Sequence, residues 1–225
     1  MDKPKTFEGQ PVPVHELPWR PAGMVVAILV VTILVEIVLS AADHGLIGSP
    51  RWRGWAYQYG AFWPGLLDNW RANYPAQPWV MFVTYPLLHA GWSHLTGNMI
   101  VLFLVGRILV ARTGQGWFAV IYIVSAIGGG LGFALLNHGA QPMVGSSGAL
   151  FGLVGAWKWQ DWFHGAAIGY TRGRLVLDIA GLILLNILLW VLQDGQLAWE
   201  AHLGGFLVGW LAATLMIPRH DSTTL

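Results

Sequence analysis

The sequence predicts an all-α membrane protein: a bundle of six transmembrane helices whose fourth is short and starts inside the membrane, with a long first loop lying in the interface. Three observations lead there. The 225 residues are 55% hydrophobic and only 10% charged, with a mean hydropathy of +0.54, more apolar surface than a soluble core of this size can hide. Five apolar runs approach the ~20 residues that a helix needs to cross a bilayer. A sixth, Ala149 to Trp157, is interrupted by Lys158 at roughly half that length and follows directly on Gly145-Ser146-Ser147-Gly148.

Taken in order, residues 1–22 are polar and proline-rich, with no short apolar core followed by a small-residue cleavage site, and are expected to be a retained cytoplasmic tail. Residues 23–217 are expected to form the six-helix domain, and 218–225 a second cytoplasmic tail. The first span, Gly23 to Ala42, is broken only by Thr32, Glu36 and Ser40. A carboxylate there is costly unless it faces the bundle, so Glu36 is either a structural hydrogen-bonder or functional. The loop that follows, about 43–88, carries Trp52, Trp55, Tyr57, Tyr59, Phe62, Trp63, Trp70 and Tyr74. So many rings argue against disorder and for a structure embedded in the membrane interface.

His89 to Val110 makes the second span, and the helical repeat puts His94 and Asn98 on one of its faces. Trp117 to Leu136 makes the third, with Gly128, Gly129, Gly130 and Gly132 permitting close helix contact. The fourth, opened by Ser147, is expected to end in Lys158-Trp159-Gln160-Asp161. Leu175 to Leu192 is the fifth and Ala198 to Ile217 the sixth.

Six spans bring both ends to one side. That side holds Lys3, Lys5, Arg20, Arg107, Arg112, Lys158, Arg172, Arg174 and Arg219, against Arg51, Arg53 and Arg71 on the other. The excess predicts cytoplasmic termini and a Ser147 that opens toward the outer, periplasmic face. The 12 basic residues are scattered over a net charge of +1, which gives no footprint for nucleic acid. Zero cysteines exclude disulfides, thiolate metal sites and cysteine nucleophiles. Serine chemistry stays open, and it calls on no metal and no cofactor.

Because the fourth helix starts at membrane depth, its connection to the third must be covered by protein or line a watery recess. That puts a reactive hydroxyl and water in one pocket. In the sixth span His202 lies within about 60° of Gly205, Gly209 and Ala213 on the helical wheel, the surface where another backbone can come close. Gly148, Gly152 and Gly155 give the fourth helix a matching ridge. Facing ridges would bring Ser147 and His202 within reach, an imidazole to take the serine proton and return it to a leaving amine. The developing oxyanion needs donors, which His94, Asn98 and the backbone N–H of Ser147 at a positive helix terminus can supply, with Gly145 grouped on the same side.

Gly145-Ser146-Ser147-Gly148, the His89…His94…Asn98 spacing and Ala201-His202-Leu203-Gly204-Gly205 with Gly209 are together specific. On these motifs the chain resembles the rhomboid family of intramembrane serine proteases over roughly residues 79–217. The resemblance implies a six-helix rhomboid-like bundle with Ser147 as nucleophile, His202 as its general base, and His94 and Asn98 on the oxyanion side. It also implies a first loop half-submerged in the outer leaflet and lateral substrate access between the second and fifth spans. Two positions depart from the family pattern. Its common Trp-Arg pair before His89 is replaced by Val80 and Met81, and a tyrosine found in some members four residues after the serine is Phe151.

The expected activity is endoproteolysis of transmembrane or membrane-proximal segments of single-pass or polytopic membrane proteins in the lipid bilayer, with small or helix-breaking residues near the cut. A bacterial inner membrane is the expected location. The sequence leaves the oligomeric state unknown. Two other classes remain open at this point: an inactive rhomboid-like binder of membrane proteins, and a small transporter. The serine and histidine weigh against the first, and the lack of repeated halves or several intramembrane charges against the second.

Overall fold

The structure is a computed structural model and describes residues 22–216, excepting the side chains of residues 166 and 167. Apart from Ala22, both expected tails lie outside the described residues, as do Lys3, Lys5, Arg20 and Arg219. The described chain is helical: α1 Gly23–Asp43, α2 Trp52–Gly60, α3 Gln77–Thr84, α4 Trp92–Leu136, α5 Ser147–Phe163, α6 Gly165–Ile168, α7 Arg172–Leu192 and α8 Trp199–Thr214.

Among the described residues, α1, α4 and α7 are long and apolar enough to cross a membrane. Their outward side chains are large and apolar, with Leu34 53%, Ile123 50% and Leu184 66% exposed. Such a belt is stable against lipid and not against water, so this is an integral membrane protein. α7 lies furthest out, with no buried residue along its 21.

As one rod, the 45 residues of α4 would run ~68 Å, about twice the thickness of a bilayer core. They do not run straight. Gly114 has φ 78° and ψ 167°, a backbone turn that glycine tolerates and that breaks the helix into two legs. Both legs reach the layer of Ser147. His94 in the first leg abuts Gly145, while Gly129 in the second faces Gly148 and Ala201.

α4, α5 and α8 pack against one another, and the contact is backbone on backbone. A methyl added at Gly205 would strike the Gly148 carbonyl oxygen, one at Gly209 the Gly152 carbonyl, and one at Gly204 the Gly128 carbonyl. The glycine ridges thus remove the side-chain spacer between helices. Below them Leu102, Leu109, Phe118, Ile121 and Leu153 close an apolar core.

α5 ends at Phe163, just after the expected Lys158-Trp159-Gln160-Asp161 stretch. Lys158 and Asp161 stay inside the helix because both are paired: Lys158 Nζ lies 2.8 Å from Asp178 Oδ2 on α7 and 3.3 Å from Asp161 Oδ2, and Arg112 Nη1 lies 2.8 Å from Asp161 Oδ1. Partnered charges can be buried without breaking a helix. This polar layer ties the turn of α4, the far end of α5 and the near end of α7 at the end of the bundle away from Ser147.

The long loop is folded into α2, a 3₁₀ turn at Pro64–Leu67, α3 and a second 3₁₀ turn at Tyr85–Leu87. It grips the chain leading to Ser147. Phe62 and Met143 exchange backbone hydrogen bonds of 2.9 Å each way, and the Gly145 N–H donates to the Tyr85 carbonyl at 3.0 Å. The loop is held in turn by Arg53. Its guanidinium donates to Glu36 Oε1 at 2.8 Å, Glu36 Oε2 at 3.1 Å, Asp43 Oδ2 at 2.6 Å and the His89 carbonyl at 3.0 Å. Hydrogen bonding to Glu36, then to Asp43, holds its proton beyond the ordinary arginine value, so Arg53 stays a cation. Tyr57 adds a 2.7 Å bond to the same His89 carbonyl, and burial pushes its phenol up, keeping it a donor. Glu36 therefore faces the bundle as a partnered carboxylate.

Candidate active site

Ser147 is the first residue of α5, set there by the bend at Gly145, whose φ of 115° strongly favours glycine. His202 lies on the first turn of α8 and is buried, 3% exposed. Because Gly205 rests on Gly148, these two first turns lie side by side. His202 Nε2 stands 2.9 Å from Ser147 Oγ. One turn into α5, the Phe151 ring covers the imidazole face, with centroids 4.2 Å apart and planes 7° from parallel.

The other ring nitrogen also has a partner. His202 Nδ1 lies 2.6 Å from Asn186 Oδ1 on α7, and Asn186 Nδ2 donates to the Leu182 carbonyl at 2.9 Å. Sequence reasoning missed Asn186. The available signal was a single carboxamide in the aliphatic run from Leu182 to Val191, where a polar group needs a partner.

His94 and Asn98 lie on the first two turns of α4. A Cβ at Gly145 would come within 2.6 Å of His94 Cε1 and 2.8 Å of its Nε2, so the histidine ring occupies the space that glycine leaves, two residues before Ser147. Asn98 is buried and gives one amide proton to the His94 carbonyl at 2.9 Å. A carboxamide carries two, so a donor remains. Gly145 has spent its own N–H on the Tyr85 carbonyl, and what it contributes is room for the His94 ring.

Beside the pair a cleft of about 680 Å³ opens between α5, α7 and α8. Leu182, Ile183, Trp190 and Phe206 make apolar walls, and Asn186 and His202 bring polar side chains. Its lining residues come from α5, α7 and α8. Chemically the arrangement offers a hydroxyl with an acceptor for its proton, donors on the adjoining helix, and an apolar approach for a chain arriving from lipid.

The Rhomboid domain matches residues 76–219. "Putative rhomboid protease YdcA" of Bacillus subtilis (strain 168) is 26% identical over 159 residues, which cover 71% of this chain and 78% of that protein. "RHOMBOID-like protein 5" of Arabidopsis thaliana is 32% identical over 133 residues, 59% of this chain and 42% of that protein. "Rhomboid protease GluP" of Bacillus subtilis (strain 168) is 28% identical over 142 residues, 61% of this chain and 26% of that protein. The chain thus spans most of the first relative and less than half of the other two. With the domain match covering well over half of its length, the chain belongs to the rhomboid family.

Proposed function

We propose that this protein is an intramembrane serine endopeptidase that cleaves transmembrane or membrane-proximal segments of other membrane proteins through Ser147 and His202. The 2.9 Å contact between Ser147 Oγ and His202 Nε2 carries the reading. In attack, Oγ bonds to the scissile carbonyl carbon as its proton passes to Nε2, and the carbonyl π pair moves onto oxygen. His94, the remaining Asn98 amide proton and the Ser147 N–H at the positive end of α5 steady that oxyanion. As the C–N bond breaks, the proton on Nε2 goes to the departing amine. Water then attacks the acyl-enzyme, giving its proton to Nε2, and Oγ leaves reprotonated. Gly145 serves by admitting the His94 ring.

The span count is part of this proposal. α1, the two legs of α4, α5, α7 and α8 make six crossings, with residues 23–217 as one domain between two cytoplasmic tails. The basic residues Arg112, Lys158, Arg172 and Arg174 at the end away from Ser147 support cytoplasmic placement of that end and an active site open to the outer face of a bacterial inner membrane. Substrates are single-pass or polytopic membrane proteins that approach along the apolar cleft at α7, and local unwinding at small residues lets a peptide carbonyl reach Ser147.

The test is purified protein in liposomes with a single-span model substrate, wild type beside Ser147→Ala and His202→Ala. Cleavage by wild type alone is the expected result. Equal cleavage by all three would sink the proposal.

A further inference from the structure

The hydrogen bonds around His202 fix more than a distance. Asn186 sits in mid-helix on α7, and its Nδ2 is committed to the Leu182 carbonyl at 2.9 Å, which turns its oxygen toward α8. That oxygen can only accept. The 2.6 Å contact with His202 Nδ1 therefore requires a proton on Nδ1. A neutral imidazole protonated at Nδ1 has a bare lone pair at Nε2, the atom 2.9 Å from Ser147 Oγ. The serine hydroxyl must then donate to Nε2, which is the arrangement that a general base needs. With the other tautomer, Nε2 would carry the proton and could not take one from serine.

We propose that Asn186 is a positioning residue, the third member of a Ser147–His202–Asn186 chain that holds the imidazole in the one tautomer able to activate serine. The inference rests on the protease reading above. Asn186 acts through His202 and makes or breaks no bond itself. Phe151 and Asn186 divide the work: the ring restrains the plane of the imidazole, and the carboxamide decides which nitrogen is protonated. When His202 becomes imidazolium both nitrogens donate, and the Asn186 oxygen is already placed to accept the Nδ1 proton, so the interaction strengthens as the transition state forms.

Asn186 rides on a helix with no buried residue, joined to the bundle mainly by polar contacts: Lys158 with Asp178 at 2.8 Å near one end and Asn186 with His202 further along. The base is primed only while the Asn186–His202 hydrogen bond joins α7 to α8. A substrate that widens the cleft past the reach of this hydrogen bond would release the tautomer, so productive binding must leave Asn186 in place.

The test uses the full chain in liposomes with a single-span fluorogenic substrate, comparing wild type, Ser147→Ala, Asn186→Leu and Asn186→Asp for kcat and KM. A second readout is the rate at which a fluorophosphonate labels Ser147. Asn186→Leu, close in size and without an acceptor, should lower kcat and labelling roughly 10- to 100-fold with KM within about twofold. Asn186→Asp, which keeps an oxygen facing Nδ1, should recover most of that loss. Wild-type kcat in Asn186→Leu, with Ser147→Ala dead, would overturn the positioning role and leave the protease reading standing. So would a loss of equal size in both Asn186 variants accompanied by a raised KM, which assigns the residue to packing. A wild-type chain that neither cleaves nor labels would overturn both.

Discussion

The Phe151 ring lies parallel to the His202 imidazole, its centroid 4.2 Å away. Stacked rings of this kind contribute about 0.5–1.5 kcal/mol beyond their buried area. Here the contact also keeps one imidazole face from water while the ring edges reach Ser147 and Asn186. Phe151→Leu keeps the bulk and loses the flat face. It is expected to lower turnover of a model substrate roughly 3- to 10-fold. Unchanged turnover would mean that the hydrogen bonds alone orient the imidazole.

Gly205→Ala places a methyl against the Gly148 carbonyl, which cannot move without carrying α5 with it. Overpacking of that sort costs about 1–3 kcal/mol, and the separation it forces falls on the Ser147–His202 contact. Lower thermal stability by tryptophan fluorescence and loss of cleavage should appear together. Gly181→Ala on α7, where nothing lies within 4 Å of the added carbon, is the control and should leave both unchanged.

Removing one partner of the Arg53–Glu36 pair leaves the other charge without its main contact; Glu36 is 1% exposed. Arg53→Met should destabilise by roughly 1.5–3 kcal/mol and open the loop to protease near Gly45. Glu36→Gln combined with Arg53→Met should recover part of the loss, because the deeply buried charge is gone and only Asp43, which is partly exposed, loses its partner. A double variant as weak as the sum of the singles would show that the two act independently.

Asn98→Ala removes an amide proton proposed for the oxyanion. Turnover is expected to fall on the order of 10- to 1000-fold with little change in substrate affinity. Should kcat hold and only stability drop, the side chain belongs to helix packing through its bond to the His94 carbonyl.

How much of this could be read beforehand follows from what each feature depends on. The apolar runs and the hydroxyl between glycines are local, so Ser147 stood out in the sequence. His202 stood out because its ridge, Gly205 and Gly209, is also local. Their partners were harder to see. Arg53 counted only as an outer-face charge and Glu36 only as a lone carboxylate, since their pairing joins residues that no helical repeat relates. Asn186 went unnoticed because one carboxamide in an apolar run does not announce which helix it meets. The end of α5 close to Lys158 and Asp161 was legible, but not that Arg112 and Asp178 would pair with those charges.

The glycine-on-glycine seam between α5 and α8 has a consequence for life in a fluid solvent. Side chains flex and lipid tails stretch or thin with temperature, but peptide carbonyls resting on bare Cα atoms hardly compress. The alignment of hydroxyl and imidazole is inherited from the main chain, so the first turns of α5 and α8 keep their register as the surrounding bilayer changes thickness.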